Sequence, residues 1–171
     1  RRTFYTRIAV ILLMAAAWRI VMAAALPVIA RDGVGFCRYA QALGQHGVAY
    51  LQDPAAQQHP LYPALILAAQ RSAAALGAAD APLTWQICGQ AISLLAGLSV
   101  IALTGLLTSR LIRRLELPVH HDTSVLVAML AAALLDLNVW LSADVMSDQV
   151  HLAWYLAAVC LLVDLRHARA A

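Results

Sequence analysis

Asp144, Asp148 and His151 lie at i, i+4 and i+7 in the run ADVMSDQVH, so on a helix they form one stripe along its first turns. Two carboxylates and an imidazole on one face can hold a hard divalent cation, Mg2+ or Mn2+, through oxygen ligands, and Asp32 can act there as a further ligand or as a base. The competing account of Asp144 and Asp148 is electrostatic, because carboxylates favour the positive N-terminal end of a helix. Asp148 lies deeper along the helix than that account needs. Asp32 likewise either supplies a general base beside the membrane surface or caps a helix starting near Gly33. In HPLYP, residues 59–63, His59 and Tyr62 are candidates for substrate contact, the alternative being a turn residue and an interfacial aromatic. Arg19 and Asp136 each fall inside an apolar run, where a charge costs about 2.5 to 3.5 kcal/mol unless it is paired or faces water. Their depths match, which predicts an ion pair between the first and third spans; the alternative gives Arg19 a substrate-binding role. His46, His120, His121 and His167 have no partner at ligand spacing. There is no Gly-rich phosphate loop, nucleophile elbow or HExxH.

The elements that must position these groups belong to a membrane protein. Of the 171 residues 63% are hydrophobic and 12% charged, with a mean hydropathy of +0.74, more apolar than soluble domains are. Apolar runs at about 8–30, 82–109, 123–142 and 145–164 are each long enough to span a bilayer, for which about 20 helical residues suffice. The expected fold is an all-α, polytopic helical bundle with about four transmembrane helices. An outer loop at 31–81 joins the first two. Within it, Phe36, Tyr39, Ala40 and Leu43 recur at helical spacing opposite Arg38, Gln41 and Gln45, predicting a short amphipathic helix on the membrane surface. The stretch after Pro63, ending near Gly77, is too short to span and is expected to be interfacial or re-entrant.

The net charge of +3 and pI near 9.0 do not point to nucleic acid, because the arginines flank apolar runs rather than lining a polar face. Arg1, Arg2 and Arg7 before the first span, Arg110, Arg113 and Arg114 after the second, and Arg166 and Arg169 after the fourth predict that both ends are cytoplasmic and the long loop is outside. A cleaved signal peptide ending at Val28-Ile29-Ala30 is the competing reading of the first run; the further apolar spans weigh against it. All twelve basic residues are arginine, a compositional sign of a bacterial source and hence of an inner membrane. Cys37, Cys88 and Cys160 are isolated and read as apolar fillers. No span contains GxxxG, although the alanine-rich stretches suit close packing of helices in lipid. The chain begins without Met and is expected to be part of a longer reading frame.

The order of these features resembles the N-terminal region of the C-type integral-membrane glycosyltransferases. It comprises an acidic residue just outside the first span, Y-A-x-x-L-x-x-x-G at Tyr39 to Gly47, P-L-Y-P at Pro60 to Pro63, and Ser147-Asp148 opening a late helix. The bacterial Rgt-type lipopolysaccharide sugar transferases are most similar, and protein O-mannosyltransferases and aminoarabinose transferases are more distant. The resemblance implies transfer of a sugar from a polyprenyl-phosphate donor to a lipid, glycan or protein acceptor outside the cytoplasm. Asp32 would then be in the catalytic site and Asp148 would be the later acidic residue. Further spans and an outer domain are expected beyond this region. The rival class is a non-enzymatic membrane protein, a transporter part or scaffold, which broken spans would favour.

Overall fold

The computed structural model describes residues 2–25, 30–52 and 59–168, apart from the side chains of 52 and 166–168. The described residues form seven α-helices: α1 (Arg2–Ala25), α2 (Arg31–His46), α3 (Leu61–Ala75), α4 (Pro82–Arg114), α5 (His121–Leu134), α6 (Asp136–Ala143) and α7 (Asp148–Ala168). A 3-10 segment, Gly47–Gln52, follows α2. No strand occurs among the described residues. The helices α1, α4 and α7 are long and apolar enough to cross a membrane, and α5 with α6 make a fourth if that bent pair is one span. The protein is therefore an α-helical membrane bundle. In lipid each backbone group must find its partner inside the protein, which a helix provides locally.

The loop helices form where side-chain periodicity places them. Phe36, Tyr39, Ala40 and Leu43 are all buried on one side of α2, as their spacing predicts. Gly47, at φ +64°, ends the helix, and its N–H bonds the Leu43 carbonyl. Gly77, at φ +91°, ends α3 in the same left-handed region, where glycine has no Cβ to clash. There the Gly77 N–H bonds the Ala74 carbonyl at 2.9 Å and the Ala78 N–H bonds the Ala73 carbonyl at 3.0 Å.

Two expectations about the spans change. The first run forms a helix over Arg2–Ala25; the proposed cleavage site lies largely outside the described residues. The third run is not continuous. The chain leaves helical geometry at Leu135 (φ −59°, ψ 116°), and α5 and α6 meet at a bend of 58°. No proline or glycine marks the break, and apolar periodicity does not report a single residue with extended ψ.

Helix α4 is the axis of the bundle and packs against all the other helices. With 33 residues it is about 50 Å long, so it exceeds a hydrocarbon core of about 30 Å. Gly89, Ser93, Gly97, Ile101 and Gly105 recur every fourth residue and are all buried. Small residues at this spacing let helix backbones approach closely; Ser93 serves between Gly89 and Gly97 as a glycine does in GxxxG. A methyl group on Gly89 would sit 2.6 Å from Val145 Cγ1, one on Gly97 2.5 Å from Ser142 Cβ, and one on Gly105 2.6 Å from Met129 Cγ. The stripe therefore sets how near α5, α6 and the α6–α7 turn lie to α4.

The two ends of the bundle differ. At one, Phe4 lies against His121, with ring centroids 6.3 Å apart, and Arg110 and Arg114 each reach Asp164 at 2.9 Å. The start of α1, the end of α4, the start of α5 and the end of α7 thus meet at an arginine-rich end. At the other end lie α2, α3, the start of α4 and the α6–α7 turn, packed around Phe36, Tyr62, Trp85 and Val145. Arg166 and Arg169 lie outside the described side chains.

Gly97→Val should lower the unfolding midpoint in detergent by an amount equivalent to about 1 to 3 kcal/mol, the usual cost of overpacking. Gly44→Ala, whose methyl would meet only Leu67 Cδ1 at 3.1 Å, should change it far less. Equal midpoints for the two variants would contradict the role given to the stripe.

Candidate functional site

The loop end gathers most of the groups singled out from sequence, and one carboxylate organises it. Asp144 is buried in the turn between α6 and α7. Its Oδ2 accepts the Ala30 N–H at 3.1 Å and its Oδ1 accepts the Val145 N–H at 2.7 Å. Ala30 is the N-cap position of α2 and no side chain of that helix caps it, so Asp144 ties the start of the loop after α1 to the α6–α7 turn. It is a residue serving backbone donors that would otherwise go unpaired.

Asp32 follows two residues after Ala30, exposed on the first turn of α2. It is not the cap. Its structural effect reduces to a carboxylate near a helix N-terminus, worth about 0.3 to 1 kcal/mol. Asp148 and His151 are also exposed, on the first turns of α7, and the His151 ring stands 5.9 Å from that of His59, edge to face. Thus Asp148, His151 and His59 are on the surface around the turn that Asp144 anchors to α2. Among the described residues, no group of three or more His, Cys, Asp or Glu side chains is arranged to hold a metal ion, so no chemical step is derived through one.

Tyr62 lies beneath this surface, 1% exposed. Its Oη is 3.1 Å from the Gly89 carbonyl and 2.7 Å from Ser93 Oγ. Ser93 Oγ donates to the Met146 carbonyl at 3.0 Å and accepts the Met146 N–H at 3.2 Å. Phe36 packs edge-on against the Tyr62 ring, with centroids 5.0 Å apart. Burial raises the Tyr62 phenol above its ordinary range; the Ser93 bond opposes this, and the charges of Cys37, Asp144 and Asp148 add to it. Tyr62 is therefore a neutral hydrogen-bonding post between α3, α4 and the α6–α7 turn, and its hydroxyl is directed into the protein. Beside it, burial and then neighbouring Cys88 push the Cys37 thiol up to about 11.

A second polar network lies within the spans. Arg19 is fully buried: Nε donates to Ser142 Oγ at 2.8 Å, Nη1 to the Ala15 carbonyl at 3.2 Å and Nη2 to the Ala133 carbonyl at 3.4 Å. Ser142 Oγ also bonds the carbonyl of Asn138. Asn138 Nδ2 donates to the Ala132 carbonyl at 3.0 Å, and its Oδ1 accepts from Gln149 Nε2 at 3.0 Å. The break at Leu135 explains this chain, since Ala132 and Ala133 are in the last turn of α5, where carbonyls lose their intrahelical donors. Asn138 and Arg19 supply replacements.

The ion pair expected between Arg19 and Asp136 is not formed. Asp136 is exposed in the first turn of α6, the positive end of that helix, whereas the Arg19 cation meets the negative C-terminal end of α5. The kink creates both helix ends, so each charge finds a dipole instead of the other. Ser93, Asn138, Ser142 and Gln149 were not singled out from sequence. The signal that could have found them is their polarity within apolar runs, where unpartnered polar groups are disfavoured.

If this account is right, Arg19→Met should cost about 1 to 3 kcal/mol, leaving carbonyls without donors, while Asp136→Asn should cost less than about 1 kcal/mol. Equal losses in detergent unfolding would restore the pair. The Cys37 thiol, with roughly a thousandth in the reactive thiolate form at pH 8, should resist iodoacetamide in the folded protein and become reactive only as the pH approaches 11, as read by mass spectrometry of the Cys37 peptide. Rapid labelling at pH 8 would contradict its buried setting. Comparison with protein-family models, with curated proteins and with solved structures finds no match for this chain.

Proposed function

We propose that this chain is the N-terminal transmembrane part of a C-type glycosyltransferase, with four spans if the bent pair counts as one. It would transfer a sugar from a polyprenyl-phosphate donor to a lipid, glycan or protein acceptor on the non-cytoplasmic face of a bacterial inner membrane. The observation that best supports this reading is the setting of Asp32: an exposed carboxylate on the first turn of α2, two residues beyond the Ala30 that Asp144 holds. The donor's lipid tail confines its anomeric carbon to the membrane surface, and in this reading the carboxylate that follows the first span acts at that height. Asp32 takes the proton from the acceptor as the acceptor oxygen or nitrogen bonds to the anomeric carbon. The bond from that carbon to the phosphate oxygen breaks, and polyprenyl phosphate leaves with the bonding electrons. Asp148, His151 and His59 border the same surface and would contact the sugar or phosphate, while Tyr62 and Ser93 support it from below.

Asp32→Asn keeps the shape and removes the base. In the complete reading frame, with a polyprenyl-phosphate sugar donor, it should lower turnover by roughly two to four orders of magnitude and leave the unfolding midpoint nearly unchanged. Near-normal sugar transfer by this variant would overturn the reading.

One observation favours a second reading, a part of a transporter. The third apolar run is broken, and discontinuous spans with freed helix ends form the substrate and ion sites of transporters; Arg19 is the buried group at this break. Substrate uptake into proteoliposomes that is lost in Arg19→Met and retained in Asp32→Asn would select that reading.

A further inference from the structure

At the arginine-rich end, remote from the loop site, a cavity of about 390 Å3 opens between α1, α4 and α5. Its walls are apolar, with Phe4 and Ile8 from α1, Leu106 from α4 and Met129 from α5, and its mouth carries Arg113 and His121. The volume falls in the usual range for a ligand pocket of roughly 300 to 1,000 Å3. The combination of a greasy channel between helices and a basic mouth has a specific chemical complement, which is an acyl chain joined to an anion.

Of the two described arginines that line the cavity, Arg110 and Arg113, one is left available. Arg110 also borders the cavity, but it is held by Asp164 at 2.9 Å and by the Cys160 carbonyl at 2.8 Å. Arg114 is held by the same carboxylate. Arg113 is exposed, and its one polar contact among the described residues is from Nε to His121 Nε2 at 3.4 Å. His121 Nδ1 lies 2.9 Å from Asp122 Oδ1, and Nε2 lies 2.9 Å from Ser109 Oγ. The Arg113 Nε–H is directed at His121 Nε2, while Nδ1 on the other side of the ring faces the Asp122 carboxylate. Asp122 is thereby engaged by His121, and the remaining guanidinium N–H groups of Arg113 are directed by the Nε contact without being occupied.

We infer that this cavity is a binding site for an anionic phospholipid, whose phosphate pairs with Arg113 and whose acyl chain lies along Phe4, Ile8 and Leu106. Basic pockets between transmembrane helices take acidic headgroups in this way. The apolar walls distinguish the lipid from a free anion, and the guanidinium distinguishes an anionic from a zwitterionic headgroup. The site is independent of the glycosyl-transfer reading, because it uses none of the loop-end residues.

The test measures the unfolding midpoint of the purified chain in mixed micelles carrying dioleoylphosphatidylglycerol or dioleoylphosphatidylcholine at equal mole fraction, together with binding of each lipid by native mass spectrometry. The wild type should prefer the anionic lipid. Arg113→Gln should weaken that preference about fivefold, the effect of one basic residue at an anionic surface, while Arg71→Gln, an exposed arginine in α3, should leave it unchanged. Leu106→Trp, which fills the channel from an exposed position, should reduce occupancy by either lipid while the headgroup cation remains. Three results would overturn the inference: no preference between the lipids in the wild type, full preference retained in Arg113→Gln, or millimolar inorganic phosphate raising the midpoint as much as phosphatidylglycerol does.

Discussion

The close approach of helices along the small-residue stripe of α4 is the constraint on which the rest of the structure depends. In lipid there is little hydrophobic gain in bringing two apolar helices together, so association rests on packing and on hydrogen bonds between helices. Gly89, Gly97 and Gly105 leave no room for even one added methyl group against Val145, Ser142 and Met129. Two of these contacts also place a polar group within reach. Next to Gly89, Tyr62 reaches the Gly89 carbonyl and Ser93. Next to Gly97, Ser142 comes near enough to α1 to accept from Arg19.

This packing accounts for a buried cation without a carboxylate partner. A charge inside a membrane protein is tolerated when carbonyls and helix dipoles replace the water it has lost. The break between α5 and α6 supplies both, since it exposes carbonyls at the end of one helix beside Arg19 and opens a new N-terminus for Asp136 to face. Asn138 meets a second freed carbonyl from the other side of the break. Kink and charges stabilise each other; neither has an evident reason without the other.

The same division of labour is seen at the two ends. At the loop end, Asp144 and Ser93 satisfy backbone groups of the α6–α7 turn and leave Asp32, Asp148, His59 and His151 on the surface. At the arginine-rich end, Asp164 engages Arg110 and Arg114 and leaves Arg113 at the mouth of an apolar cavity. In both places a buried or half-buried carboxylate fixes the scaffold, and an exposed group of the opposite or the same sign is left to meet whatever binds.

Much was determined by the sequence alone. The apolar runs dictated a helical membrane bundle, because that follows from transfer energies that act residue by residue. The spacing of Phe36, Tyr39, Ala40 and Leu43 dictated the buried face of α2, a property of helical periodicity. The exposed Asp32 after the first span was likewise legible. Only the tertiary structure decided that Asp144 binds Ala30, that Tyr62 is buried, that Arg19 meets carbonyls and not Asp136, and that the third span bends at Leu135. Each of these depends on which donor and acceptor meet across more than twenty residues of chain, and hydropathy carries no information about such a pairing. The bend itself is one extended ψ at a leucine, with its freed carbonyls met by Arg19 of α1 and by Asn138 across the break, so backbone propensity at Leu135 alone could not announce it.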